Sequence, residues 1–168
     1  MGGLIKVYNK SGGLVNSFQA HTDGVSRLKQ LDNGYVASVS YDKTAKIWDV
    51  SNYSKWVLIR SYTRHIDTVY GLEYIDTDTI ATGSSDFTLH IWSICTGLNI
   101  RTINAGIDVF SLKLLSNGYH LVAGLGNGKI NIYDINDGSL VKTLTGHTTK
   151  LRDFVFLSDR NLLTFKSS

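Results

Sequence analysis

The sequence contains no proline and only one cysteine, Cys95. Without proline, the turns must depend on the 16 glycines and on Asn and Asp. One cysteine cannot form an intrachain disulfide, and Met1 is not followed by an apolar signal segment or a membrane-spanning run. We therefore expect a soluble, intracellular, cytoplasmic protein with no membrane partner, and a nuclear location stays open.

The sequence also has few clusters of charge and no cluster of metal-ligating residues. Its 17 Lys and Arg against 14 Asp and Glu give a net charge of +3, and the basic residues are mostly scattered singly. The five His residues have no i, i+3 or i, i+4 pairing, so we expect no metal and no cofactor. A nucleic-acid partner is disfavoured. A nucleic-acid or ribonucleoprotein factor remains the alternative function because of Lys150, Arg152, Arg160 and Lys166.

Strand-forming residues are abundant. Hydrophobic residues make up 42% of the 168 residues and charged residues only 18%, a balance typical of a globular protein with a sizeable core. Short apolar or alternating runs, such as Val25 to Leu31 and Tyr35 to Ser40, are separated by turns rich in Asn, Asp and Gly. No window has the 3.6-residue apolar period of a long helix. The pattern predicts an all-β protein.

A repeat of 40 to 44 residues organises the chain. In the two complete copies an Asp follows a His after 21 positions, and a Trp follows that Asp after six. A weaker third copy follows, a fourth begins at Gly146-His147, and the N-terminal residues 3–9 match residues 43–49. The complete copies place these residues at His21, Asp42 and Trp48, and at His65, Asp86 and Trp92.

The Gly146-His147 pair, the Trp48-Asp49 pair and the period of the repeat resemble those of the WD-repeat β-propeller family. The resemblance implies an all-β propeller, or a partial propeller arc, of four-stranded antiparallel blades. It implies about four repeats, the first and last incomplete, in a single propeller region over residues 1–168. We expect residues 1–20 to form the last two strands of a blade, 21–63 and 64–104 full blades, 105–145 a degenerate blade, and 146–168 the first two strands of a blade.

The resemblance also implies a hydrogen-bonded structural set in each blade. A buried Asp is tolerated when imidazole and hydroxyl groups satisfy it, and a buried indole N–H needs an acceptor. The third copy has Ala105, Ala123, Asn127 and Tyr133 at these positions and so loses the set as a group. The expected sets are His21, Ser38, Asp42 and Trp48; His65, Thr82, Asp86 and Trp92; and, in the fourth copy, His147 and Thr164.

The segment TGSSDFTLHIW, residues 82–92, contains the Ser, Asp and His of a catalytic triad. The arrangement recurs in successive repeats, however, and no Gly-x-Ser-x-Gly elbow accompanies it. We therefore expect no catalytic residue and no enzymatic activity. Ser84 and His90 are interpreted as lying outside the structural set, with His90 on the same strand face as Trp92 and exposed or half-buried.

Proteins of this family mostly bind other proteins or peptides on one face of the propeller, so the resemblance implies a non-catalytic interaction scaffold or substrate-recruiting module. Tyr41, Tyr70 and Phe110 give that face the aromatic character of an interface hot spot, unless these rings only cover neighbouring blades. The family's contact positions correspond here to Gly24, Ser26, Tyr41, Thr68, Tyr70, Ser85, Asp108, Phe110, Gly126, Lys150 and Arg152.

The incomplete first and last repeats leave three arrangements open. The chain is a fragment of a longer propeller, a small closed ring, or an arc that completes a ring by dimerising. The fragment is favoured because the sequence ends inside a predicted strand. Open blade edges at both ends predict self-association.

Overall fold

Sixteen β-strands and no helix make up the part of the chain described by the computed structural model, residues 2–32, 34–158 and 161–166. Side chains are described as far as Leu151. The predicted all-β fold is confirmed. Within the same ranges, no helix is long and apolar enough to cross a membrane.

Three four-stranded antiparallel sheets follow one another along the chain, each with its strands in sequence order. A two-stranded sheet precedes them and another follows, and β1 and β16 do not pair with each other. The first pair is β1 (Leu4–Tyr8) and β2 (Leu14–Gln19). The first blade is β3 (Val25–Gln30), β4 (Tyr35–Ser40), β5 (Ala45–Asp49) and β6 (Val57–Tyr62); the second is β7 (Val69–Tyr74), β8 (Thr79–Ser84), β9 (Thr88–Ser93) and β10 (Asn99–Asn104); the third is β11 (Val109–Leu114), β12 (His120–Leu125), β13 (Ile130–Asp134) and β14 (Leu140–Leu144); the last pair is β15 (Leu151–Ser158) and β16 (Asn161–Lys166).

The turn that leads into the third strand of each blade has the same left-handed backbone residue every time. Gly3, Lys43, Phe87 and Gly128 have φ values of 92°, 71°, 70° and 80°, and each lies five residues before the large aromatic residue of the following strand. Glycine suits this conformation because it has no Cβ. At Gly128 it is also required by space, since a Cβ would lie 2.5 Å from the carbonyl oxygen of His147.

The hydrophobic core lies between neighbouring blades. Leu72 and Val69 on the second blade's inner strand pack with Val39 and Ile47 of the first blade, and all four side chains are at most 1% exposed. The second and third blades approach so closely that a Cβ on Gly83 would lie 2.4 Å from Val109 Cγ1. Each blade therefore buries its faces against its neighbours instead of within itself.

Polar contacts also cross the blade boundaries. On the inner strands, Lys29 of the first blade lies 2.9 Å from both carboxylate oxygens of Glu73, and Lys113 of the third blade lies 3.9 Å from one of them. Glu73 is buried, so this pairing compensates for the loss of its hydration. On the outer strands, Arg60 donates to the carbonyl of Cys95 and Arg101 donates to that of Asp137.

Candidate functional site

In the first blade, four buried side chains form a chain of hydrogen bonds. The Trp48 indole donates to Ser38 Oγ at 2.8 Å, and Ser38 Oγ lies 2.7 Å from His21 Nε2. The other ring nitrogen, His21 Nδ1, lies 2.9 Å from an Asp42 carboxylate oxygen. A neutral His21 that donates through Nδ1 and accepts through Nε2 gives each of the four side chains a hydrogen-bond partner. The structure thus brings together the residues predicted from spacing.

The Asp42 carboxylate receives further hydrogen bonds from its surroundings. The backbone N–H of Thr22 and the backbone and hydroxyl of Thr44 donate to it at 3.0, 3.1 and 2.6 Å. Burial raises the pKa of Asp42, but the hydrogen bonds from Thr44, Thr22 and His21 outweigh it and leave the pKa below its ordinary value. Burial lowers the pKa of His21. The His is therefore neutral and the Asp ionised at pH 7.

The second blade has the same arrangement with one difference. His65 lies 2.7 Å from an Asp86 oxygen through Nδ1 and 2.8 Å from Thr82 Oγ1 through Nε2. The expected bond to Trp92 is absent, because its buried indole nitrogen has no hydrogen-bond partner among the described residues. Thr82 has a methyl group that Ser38 lacks, and this β-branch restricts where its hydroxyl can point. Trp92 instead stacks on Tyr62 of the first blade, with ring centroids 4.5 Å apart and planes at 9°.

The prediction that His90 is exposed or half-buried is wrong. His90 is 7% exposed and stacks on His65, with ring centroids 4.2 Å apart. Its ring nitrogens lie 3.1 Å from the Tyr62 hydroxyl and 3.1 Å from Thr88 Oγ1. Burial and the adjacent His65 lower the pKa of His90 to about 4. Strand alternation places His90 beside Trp92. It does not predict the burial of His90, because the Tyr62 ring that covers both residues comes from the preceding blade.

The interpretation of Ser84 as a bystander is also wrong. Ser84 is fully buried; its hydroxyl donates to the carbonyl of Asp67 and accepts from the backbone N–H of Asp86, both at 3.0 Å. Ser40 makes the corresponding bonds in the first blade, to the carbonyl of Asp23 and from the backbone N–H of Asp42. A serine two positions before the Asp in both complete repeats was the sequence signal for this role.

The third blade has no His–Asp pair between the entry to its inner strand and the turn after its second strand. Ala123 is fully buried, Asn127 is exposed and bonds only to its own turn, and the Tyr133 hydroxyl accepts from Asn131 at 2.8 Å. A cleft of about 270 Å³ lies beside Ala105, where the other blades have their His. In the fourth repeat His147 is half-buried, and the side chain of Thr164 lies outside the described residues.

These polar sets are enclosed structural elements. Ser38 and Thr82, the nucleophiles of a supposed triad, are 0% exposed and their hydroxyls are already bonded, so no substrate carbonyl reaches them. Among the described residues, no three His, Cys, Asp or Glu side chains are grouped closely enough to hold a metal ion.

The predicted contact positions lie together on one rim of the blades. In each blade one backbone hydrogen bond joins the residue three positions after the His position to the residue before the Asp position, at 3.0 Å for Tyr41 to Gly24, 2.9 Å for Ser85 to Thr68 and 3.0 Å for Gly126 to Asp108. Because the same bond recurs, the three blades present these residues at equivalent heights. The side chain of Arg152 lies outside the described residues.

Three aromatic rings and a lysine form a continuous line across this rim, which we call the aromatic line. Tyr41 and Tyr70 have ring centroids 5.6 Å apart, and Tyr70 and Phe110 have centroids 4.7 Å apart. The Lys150 ammonium group lies 5.7 Å from the Phe110 centroid. Ser26 does not extend the line, because its hydroxyl lies within hydrogen-bond distance of the carbonyls of Val39 and Val69 at the blade junction.

Both the sequence and the fold of this chain are similar to those of known proteins. The family model described as "WD domain, G-beta repeat" matches residues 12–49 and 56–93. The Set1 complex component swd1 of Schizosaccharomyces pombe is 44% identical over 55 residues, which cover 32% of this chain and 14% of swd1. The crystal structure of the WD40 β-propeller domain of Doa1 superposes with a TM-score of 0.83 and 25% identity. Residues 12–49 and 56–93 are therefore WD repeats, and the chain has the fold of a WD40 propeller.

Each matched sequence repeat spans two blades. The match over residues 12–49 runs from β2 through the first three strands of the first blade, and the match over residues 56–93 starts at β6 and ends in β9. WD-repeat proteins generally act as interaction scaffolds for other proteins, and the fold is typically non-catalytic. The computationally designed Ika8 protein has the same fold, with a TM-score of 0.78 at 24% identity. This WD-repeat chain spans 54% of the Doa1 domain and 52% of Ika8.

Proposed function

We propose that this chain is a non-catalytic recruiting module that binds a protein or peptide partner along the aromatic line. The observation that carries the proposal is the unbroken contact of Tyr41, Tyr70 and Phe110 across three successive blades. Aromatic residues with an adjacent cation have the composition of binding hot spots. The swd1 similarity supports membership of a multiprotein assembly, because swd1 is a component of the Set1 complex.

The exposure of the rings supports a binding role over a purely structural one. Tyr41 is 43% exposed, while Tyr70 and Phe110 are half-buried, so the line combines a fixed base with accessible ring surface. Rings held by their neighbours lose little conformational entropy when a partner binds. Thr68, Ser85 and Asp108 add polar groups beside the rings, as at the polar rim of an interface.

The test is quantitative affinity purification of the intact chain, followed by binding measurements with each purified partner. The variant Tyr41→Ala/Tyr70→Ala/Phe110→Ala is compared with the control Tyr53→Ala/Tyr119→Ala, which removes two exposed aromatic residues, 65% and 44% exposed, that lie outside the line. We expect partners retained by wild type and control to bind the triple variant at least about tenfold more weakly, since each hot-spot ring contributes about 2 kcal/mol or more. The proposal would be rejected if every partner bound the folded triple variant with unchanged affinity.

A further inference from the structure

The third blade has an open cleft where the second blade has three packed rings. In the second blade, the His65 ring centroid lies 4.2 Å from that of His90 and 6.3 Å from that of Tyr62, which belongs to the preceding blade. None of the three corresponding residues of the third blade has a ring. They are Ala105, Asn131 and Ile103. The cleft of about 270 Å³ beside Ala105 is therefore the space that the rings fill in the second blade.

The polar side chains of the cleft present N–H donors. Asn131 is 8% exposed and is held at both ends of its amide: Nδ2 donates to the Tyr133 hydroxyl and Oδ1 accepts from the Thr143 hydroxyl, both at 2.8 Å. An amide nitrogen has two N–H groups, so one donor remains. Asn127 uses its Oδ1 to accept from the backbone N–H of Lys129, which leaves its own amide N–H groups for another acceptor.

The charge of the cleft also favours an acceptor. Among the described residues that line the cleft, Lys129 is the only charged one. Its counterpart in the second blade is Thr88, whose hydroxyl donates to the Asp86 carboxylate at 2.6 Å. In the third blade an ammonium group replaces that hydroxyl, and Asn127 replaces the carboxylate. The donors of the site are thus kept and strengthened, while its own anion is absent.

We propose that the cleft is a binding site for a small aromatic carboxylate. The ring of the ligand lies on the apolar part of the lining, and its carboxylate accepts from Lys129, Asn127 and Asn131. The apolar part consists of Ala105, Ile107 and Leu125. Imidazole fits less well, because the carboxylate and hydroxyl that bond His65 in the second blade are absent here. The cleft shares no lining residue with the aromatic line, so this site is additional to the proposed recruiting surface.

The first test is a heteronuclear NMR titration of the 168-residue chain with benzoate. We expect saturable shifts of the Asn127 and Asn131 side-chain amide signals, with a Kd of about 1 mM or tighter. Benzamide, which has no charge, and acetate, which has no ring, should each bind at least about fivefold more weakly. The proposal is overturned if these signals do not move with benzoate, or if benzamide or acetate binds as tightly as benzoate.

The second test uses variants of the cleft. Lys129→Gln removes the charge and should weaken benzoate binding at least about fivefold. Lys142→Gln is the matched control: Lys142 is exposed and pairs with Ile132, so its side chain lies on the opposite face of the sheet from Thr143. Equal affinities of the two variants would overturn the proposal.

A third variant, Ala105→His, places an imidazole in the cleft and should abolish benzoate binding. A folded Ala105→His chain that binds benzoate like wild type would contradict the proposed location. Lys129 is exposed, so Lys129→Gln preserves the fold and decides the question if Ala105→His does not fold.

Discussion

The second and third blades have the same order of four antiparallel strands, but the loops that lead into their inner strands are stabilised in different ways. In the second blade, a buried His65–Asp86 pair connects the loop to the turn between the second and third strands. In the third blade, Ala105 and Ala123 remove both His and hydroxyl, and a tyrosine–asparagine hydrogen bond remains deeper in the sheet. The polar set is therefore not required for the blade to form. A blade can contain the His–Asp–hydroxyl contacts or lack all of these groups, whereas removing one member of the His–Asp pair leaves the other buried without its partner.

The largest expected effect comes from breaking the His65–Asp86 pair. Asp86→Ala removes the acceptor for His65, Thr88 and the backbone N–H of Ile66, so we expect unfolding free energy to fall by about 2–4 kcal/mol. Asn127→Ala at the corresponding exposed position should cost at most about 1 kcal/mol. Urea denaturation at one fixed protein concentration measures both. Similar losses for the two variants would remove the distinction between the blades.

A smaller, pH-dependent effect should come from His90, which corresponds to Asn131 in the third blade. Because the pKa of His90 is lowered to about 4 in the folded chain, the unfolded chain binds its proton first as pH falls below the ordinary value of 6.5. The stability associated with neutral His90 is therefore present above pH 6.5 and lost between pH 6.5 and about 4.

The variant that tests this effect is His90→Asn, which makes the second blade resemble the third. We expect it to reduce the acid-induced loss of stability by about 1–2 kcal/mol, a range that allows for screening by nearby water. Urea midpoints at pH 7 and pH 4.5 for wild type and variant give the measurement. The lowered pKa of His65 remains in both proteins, so some pH dependence should persist. Parallel pH profiles would assign the acid sensitivity to other groups.

The smallest effect is expected from rebuilding the set in the third blade. Ala105→His, Ala123→Ser and Asn127→Asp together supply the side chains that the first blade has, next to a cleft of about 270 Å³ that can receive the imidazole. We expect the triple variant to gain about 1 kcal/mol. Asn127→Asp alone should gain nothing, because it adds a charge without its partner. Thermal unfolding distinguishes these cases, and a single substitution as stabilising as the triple would argue against cooperation within the set.

The strands could be predicted from local alternation, and most contacts of the two polar sets from the repeat spacing together with the family resemblance. The run Tyr35 to Ser40 coincides with β4, and the His–Asp separation of 21 residues corresponds to direct contacts in both complete blades. Failures occurred where a neighbouring blade decides the outcome. The burial of His90 and the stacking of Trp92 both depend on Tyr62, which belongs to the preceding repeat. Periodicity within one strand contains no information about that ring.

The buried carboxylate of Glu73 between Lys29 and Lys113 means that neighbouring blades are not interchangeable. These residues occupy the same place in three successive inner strands, and their charges alternate. Repeating the second blade would place two buried carboxylates side by side, at considerable cost, whereas Lys29 and Lys113 are partly exposed. Duplication of a neighbouring pair would preserve the alternation. Charge on the inner strands therefore sets which blades can lie next to one another.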